Sequence, residues 1–293
     1  MNEYIYHYTS DDALLNIINS KTIRFTKSEF LNDITEGEYI YDFIESHKKQ
    51  ILDQFIDNEY FEEIKDALSE ENLQMNKADY EVIYHPEDDT AEDLLIDYDY
   101  YVFSTSMEDD LLNMWNYYLH NHSYNGYSIK INKNELIKEL KTKFGAACII
   151  ANNVIYTEEE QLDKIVELIK DAACQKEKYW GKAACMFDSI PFIDGIRKYR
   201  ILFKPAYMAD EKEFRIAIKF DDSVQADDYF IRNGIIVPYK KAVIENLNKI
   251  ISGIRVAPTQ EFELARRGLT SLFGNNDIKI EFEDIIKSNI KIR

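Results

Sequence analysis

The residues best suited to chemistry fall in three short runs. His7 lies in Tyr6-His7-Tyr8-Thr9-Ser10, Ser104 in Phe103-Ser104-Thr105-Ser106, and two glutamates flank a lysine in Glu211-Lys212-Glu213-Phe214-Arg215. Carboxylates two apart on an extended segment face one side. Such a pair suits bond cleavage at a sugar's anomeric carbon. One carboxylate stabilises the oxocarbenium-like centre as the leaving group departs, and the other orients or deprotonates the acceptor. An imidazole and a hydroxyl would hold sugar hydroxyls beside them. Each residue also has a plain structural reading. Glu211 and Glu213 fit a charged hairpin edge with Lys212 as gatekeeper, His7 fits a strand histidine bonded to a neighbouring backbone group, and Ser106 fits a helix N-cap. Ser104 has no such structural role.

These residues need strands and strand ends to position them. Residues 4–8 alternate, with Ile5 and His7 on one face and Tyr4, Tyr6 and Tyr8 on the other. Ser10 is placed to cap the helix that follows, whose first turn carries Asp11 and Asp12 and whose apolar stripe is Leu14, Ile17 and Ile18. A strand is expected at 22–26, acidic amphipathic helices over 36–71, and loop plus a short helix over 72–97. A strand at 100–105 should lead through a capping-box-like Ser106-Met107-Glu108-Asp109 into a helix with Leu111, Met114, Trp115 and Tyr118 on one face. Further strands are expected at 127–131 and 148–156, and helices at 133–143 and 157–185. Two runs, 199–207 and 213–220, read as a hairpin turning near Ala209-Asp210. The end reads as strands at 234–239, 250–257 and 277–283 with a helix over 259–273. The mixture lacks a regular strand–helix–strand rhythm, so the fold class is α+β. The chain is read as one domain over 1–293, with 45–98 as an acidic, mostly helical insertion.

The chain has 293 residues, 45% of them apolar and 30% charged, the profile of an ordinary globular protein. No run approaches a membrane span, and the first residues lack a basic start and an apolar middle, so a cytoplasmic location is expected. The net charge of −19 lies in one segment: residues 29–99 hold 23 acidic and four basic side chains, and the remainder holds 31 of each. This balance argues against general DNA binding. It leaves a local basic cleft open around Lys198, Arg200, Lys204, Lys212 and Arg215. The acidic segment reads as a solvated helical face, with a lid or a surface for a basic partner as the lesser reading. Cys148, Cys174 and Cys185 are widely spaced and read as buried thiols rather than a disulfide or zinc site. His120 and His122 do not share a helix face, and no metal is expected. Phosphate-loop, dinucleotide, nucleophile-elbow and zinc-protease motifs are absent, and nine glycines leave little material for a phosphate cradle. Glu139-Leu140-Lys141 matches only the tail of a nuclease motif, which makes a nuclease the third reading.

Taken together, the chain resembles a bacterial family labelled a domain of unknown function, number twenty-nine seventy-one. The resemblance rests on residues 6–10 before an apolar helix, Leu31-Asn32-Asp33 with Glu36, and Phe103-Ser104 leading to Met114-Trp115 and Tyr118. It continues with Gly126 before a strand, Phe203-Lys204 with Tyr207, Glu211 to Arg215, and Ser288-x-Ile290. The order His, Ser-Thr-Ser, Glu-x-Glu is similar to that of ADP-ribosyltransferases, although His7 stands where one large transferase class has arginine. The resemblance implies a split, mixed or antiparallel sheet of that type with flanking helices, and NAD as substrate. In that picture His7, Tyr8, Thr9, Ser104 and Tyr118 bind the cofactor, with Tyr8 or Tyr118 on the nicotinamide. His7, Glu211 and Glu213 carry the chemistry, and Asn32, Asp33 and Glu36 form the acceptor side. It also implies a role as a bacterial defence or toxin effector. The alternative is a non-catalytic nucleotide-binding sensor or interaction subunit of a defence system.

Overall fold

The computed structural model describes residues 3–31, 37–70, 72–73, 80–85, 90–95, 98–118, 125–179, 190–221 and 224–291. Its organising element is β5 (Tyr98–Ser106), which is buried along nearly its whole length. One edge of β5 pairs antiparallel with β8 (Glu213–Asp221) from Tyr98↔Asp221 to Ser106↔Glu213. The far edge of β8 takes β7 (Ile149–Asn153). The other edge of β5 is shared by two strands. β2 (Thr22–Lys27) joins it at Thr26↔Val102 and Lys27↔Tyr101, and β1 (Tyr4–Thr9) joins it at Tyr6↔Ser106. Val102 and Ser106 each pair with β8 on the opposite side, so β1 and β2 lie on one edge. Between those two joints the sheet splits.

Each branch then extends outward. From β1 it runs through β6 (Tyr127–Asn132) and β11 (Ile251–Val256) to β12 (Ile285–Lys287), which pairs parallel with β11. From β2 it runs through β10 (Ile235–Val243) to β9 (Asp228–Arg232). Together these make a ten-stranded sheet among the described residues. It is mixed and open, and helices flank it, so the class is α+β as expected from the sequence.

One face of the sheet carries Ile5, Ile23, Phe25, Phe103, Ile129, Phe214, Ile216 and Ile218. Helices α1 (Asp11–Ser20), α5 (Lys133–Phe144) and α8 (Phe262–Asn275) cover it with Leu14, Leu136 and Leu269. Ser10 caps α1 as its sequence implies, accepting from the Ala13 N–H at 3.3 Å. The opposite face carries Tyr100, Val102 and Ala217 under Ile201 and Leu202. Beyond these, α2 (Tyr39–Asp53) and α3 (Phe61–Ala67) of the acidic segment pack on α6 (Glu158–Tyr179) and α7 (Ile190–Tyr199). They share an apolar cluster that includes Ile44, Ile64, Ile165 and Ile196. Over the β1 branch, α4 (Leu112–Tyr118) seats Met114 and Trp115 on Tyr8.

Several sequence expectations are corrected. Residues 199–207 and 213–220 do not form a hairpin, because β8 is a central strand with both edges taken by β5 and β7. Within 72–97, residues 72–73 are helical, but β3 (Tyr80–His85) and β4 (Thr90–Leu95) pair as an antiparallel hairpin that the reading of loop plus a short helix does not include. β9 was not foreseen. It is joined to β10 through Asn233-Gly234, whose φ values of 52° and 81° suit a two-residue hairpin loop. The last strand is Ile285–Lys287, not 277–283. Ser106 is no helix cap: it is a buried strand residue whose hydroxyl donates to the Glu211 carbonyl at 2.8 Å.

Tyr8 is also structural. Its ring meets Trp115 edge-on at 4.7 Å, its hydroxyl donates to the Glu108 carbonyl at 3.0 Å, and it accepts from the Leu111 N–H at 2.9 Å. One phenol thus fixes both sides of the turn that leads into α4. Tyr8→Phe strands both backbone groups and should cost roughly 1–3 kcal/mol, read as a lower urea midpoint. An unchanged midpoint would show that this hydroxyl does not hold the turn.

Candidate functional site

The split in the sheet opens a cleft of about 370 Å³. Simple alternation places His7 on the same face as Phe103, away from Ser104 and Glu213. At the split, however, Phe103 to Thr105 have no strand partner on the β1/β2 edge. The His7 ring enters this gap. Its Nδ1 lies 3.1 Å from the Ser104 carbonyl, and its ring centroid is 4.4 Å from that of Phe103. His7 is therefore exposed to the cleft through the gap. A carbonyl can only accept, so Nδ1 carries the proton and Nε2 keeps its lone pair. Burial pushes the imidazole down to about 4, partly offset by the bond to Ser104. The ring is neutral at physiological pH and offers the cleft an acceptor.

Glu211 and Glu213 reach the cleft by a different route from strand alternation. Glu211 ends a short 3-10 turn (Ala206–Glu211), Lys212 adopts a left-handed conformation with φ 46°, and Glu213 begins β8. That kink turns both carboxylates onto one lysine. Lys204 Nζ lies 2.8 Å from Glu211 Oε2 and 3.0 Å from Glu213 Oε2. Arg215 adds Nε at 3.0 Å and Nη2 at 2.7 Å to the same Glu213 oxygen, and its Nη1 donates to the Ile201 carbonyl. Glu213 and Arg215 are 2% and 1% exposed. Burial would raise the Glu213 pKa, but Arg215 and Lys204 together outweigh it and hold the carboxyl below its usual range. Glu211 moves the opposite way, raised by burial and by the Glu213 charge despite Lys204. Environments that push two carboxyls apart assign them different roles.

The supports lie in neighbouring elements. Ser106 holds the Glu211 carbonyl, the Met107 N–H donates to the Lys212 carbonyl at 2.8 Å, and the Glu213 N–H donates to the Tyr156 hydroxyl at 3.0 Å. Buried Gln161 of α6 donates to the Ile155 and Lys204 carbonyls, both at 2.9 Å, and its Oε1 accepts from the Tyr39 hydroxyl of α2 at 3.3 Å.

The structure therefore brings His7, Ser104, Glu211 and Glu213 to one cleft. It does not bring Tyr8, which packs on Trp115. Nor does it bring Thr9, which is buried opposite Tyr127 at the end of β1. Asn32, Asp33 and Glu36 lie outside the described residues, as does the Tyr118 side chain. Of the basic residues near the glutamates, Lys204 and Arg215 line the cleft. Lys212 instead pairs with Glu108 at the surface, and Arg200 lies over the Tyr100 ring. Sequence reasoning missed Arg24, Asn113, Tyr117 and Arg232, and it met Tyr207 only as part of the resemblance. A signal existed for three of them. Arg24 alternates with apolar Ile23 and Phe25, and Asn113 and Tyr117 are one helical turn apart, facing away from Met114 and Trp115. Arg232 had none, because β9 itself was unforeseen.

Residues 114–216 match the family model described as Protein of unknown function (DUF2971). The resemblance read from the sequence is shown over that stretch. The matched stretch runs from within α4 into β8 and contains the cleft residues Tyr117, Lys204, Tyr207, Glu211, Glu213 and Arg215. His7, Arg24 and Ser104 precede it. No curated protein and no solved structure matches the chain. No helix among the described residues is long and apolar enough to cross a membrane.

Two measurements check the electrostatics. The His7 ring signals should not titrate between pH 8 and about 5.5, and the ring should remain the Nδ1–H tautomer by nitrogen NMR. Because the folded pKa is depressed below 6.5, the stability His7 contributes is full above pH 6.5 and fades as pH falls towards 4. Titration near 6.5 would show the ring to be solvated. Arg215→Met leaves Glu213 buried with one cation and should cost about 3–5 kcal/mol in chemical denaturation.

Proposed function

We propose that the protein binds NAD in this cleft and cleaves its nicotinamide–ribose bond, an ADP-ribosyltransferase-like activity on a core of that type. The observation that carries the reading is the split on one edge of β5, which gathers a neutral histidine, Ser104 and two electrostatically distinct glutamates around one cavity. A volume of about 370 Å³ is at the small end for ligand pockets, so it suits one nucleotide half, with the remainder of the dinucleotide along the rim.

In this reading His7 Nε2 accepts from a ribose hydroxyl, and the ionised Glu213 faces the positive charge that grows at the anomeric carbon. The carbon–nitrogen bond breaks with its electron pair passing to the nicotinamide nitrogen, which leaves neutral. The acceptor's nucleophile then bonds to the anomeric carbon. Its proton passes to Glu211, whose raised pKa makes it the better base of the two. The second reading is a nucleotide-binding sensor without turnover. It is favoured by one feature: Lys204 and Arg215 already neutralise Glu213.

The test is nicotinamide release from NAD, with and without cell lysate as acceptor source. Glu213→Gln should slow release by ~10²–10³-fold while NAD binding changes far less. Glu211→Gln should slow transfer to an acceptor more than it slows nicotinamide release. Thermal unfolding of both variants separates lost chemistry from lost folding. Wild type that binds NAD yet releases no nicotinamide makes the sensor reading correct. Wild type that does neither removes the NAD reading.

A further inference from the structure

α4 presents two different faces. Met114 and Trp115 are buried against Tyr8, and the Trp115 Nε1–H donates to Asp110 at 2.9 Å, so the helix is fixed in rotation. Asn113 and Tyr117, four residues apart, both line the cleft. Tyr117 is 61% exposed, and Tyr207 from the 3-10 turn, also lining the cleft, is 76% exposed. Neither ring is part of the apolar core, and both stand where a flat ligand could stack. Asn113 is constrained further. Its Oδ1 accepts from the Met114 N–H at 3.0 Å, a first-turn donor with no partner inside the helix. The amide nitrogen is left for the cleft, and an amide nitrogen only donates.

We propose that Asn113 and Tyr117 form a base-reading pair. Tyr117, with Tyr207 at the rim, carries the heteroaromatic ring of a nucleotide, and Asn113 Nδ2 donates to an acceptor on that ring's edge. A carboxamide oxygen or a ring nitrogen meets this requirement, whereas an edge made only of donors is rejected. This assignment rests on the nucleotide reading above and adds to it the end of the ligand that α4 holds. Arg24 marks the other wall. Continuing the register from Thr26↔Val102 sets it level with Ser104 across the split. Among the described residues its guanidinium has no carboxylate partner and lies 4.8 Å from the Tyr239 ring centroid.

The experiment compares Tyr117→Ala, Tyr117→Phe, Asn113→Ala and wild type, with nicotinamide mononucleotide, AMP and baseless ribose 5-phosphate as probes. Ligand-observed NMR reads binding into the millimolar range. Tyr117→Ala should weaken both nucleotides about 10- to 100-fold, and Tyr117→Phe should restore most of that loss. Asn113→Ala should weaken the base whose edge acceptor it meets, which tells nicotinamide from adenine. Ribose 5-phosphate should bind all four proteins alike. Equal loss for nucleotides and ribose 5-phosphate, or no loss for either nucleotide, overturns the base-reading pair while leaving the nucleotide site standing. Wild type that binds no nucleotide overturns both.

Discussion

A strand edge can pair with only one neighbour at each position, and β5 divides its outer edge between two. β1 takes the end near Ser106 and β2 takes the stretch near Val102. Because sheets twist, two strands that share an edge must diverge where neither is paired. The backbone in that gap keeps polar groups that need partners, and His7 supplies one to the Ser104 carbonyl. The imidazole therefore closes a defect in the ladder and at the same time faces the cavity the defect creates. The two branches, the helices that cover them and the cleft all follow from this division.

Charge placement is the second constraint. Two carboxylates, a lysine and an arginine meet in a nearly dry site, where an unpaired charge would be costly. The cluster tolerates burial because its cations are themselves anchored: Arg215 on the Ile201 carbonyl, and the Lys204 backbone on Gln161 and Ile155. Such a site holds its geometry before any ligand arrives. That preorganisation is what an electrostatic role for Glu213 needs, and it equally suits a rigid recognition pocket.

Much of the architecture was legible in the sequence where one local signal sufficed. Ser10 before Asp11 and Asp12 marked the start of α1, the alternation in residues 4–8 marked β1, and the carboxylate pair marked one wall of the cleft. What failed depended on long-range pairing. Residues 213–221 are apolar enough for an interior strand, yet nothing local reveals that β5 and β7 flank them, so a hairpin with 199–207 looked sufficient. Tyr8 read as a free ring because its two hydrogen-bond partners and Trp115 lie about a hundred residues away. The kink at Lys212 was also hidden, since a non-glycine residue at positive φ leaves no mark in composition. His7 was singled out, but its route into the cleft was not, because alternation alone sends it to the wrong face.

The turn before α4 has one further property. Arg255 binds Asp109 at 2.6 Å, while Asp110 accepts from Ser288 at 2.6 Å and from the Asn289 N–H at 2.7 Å. Tyr8 holds the same turn from the opposite side. The segment that orients Asn113 and Tyr117 is thus clasped by residues 8 and 288–289. Contacts this distant in sequence carry the loop-closure cost that slows folding. A chain still being synthesised carries His7, Ser104 and the glutamates before residues 288 and 289 are available to clasp the turn that sets this wall of the cavity.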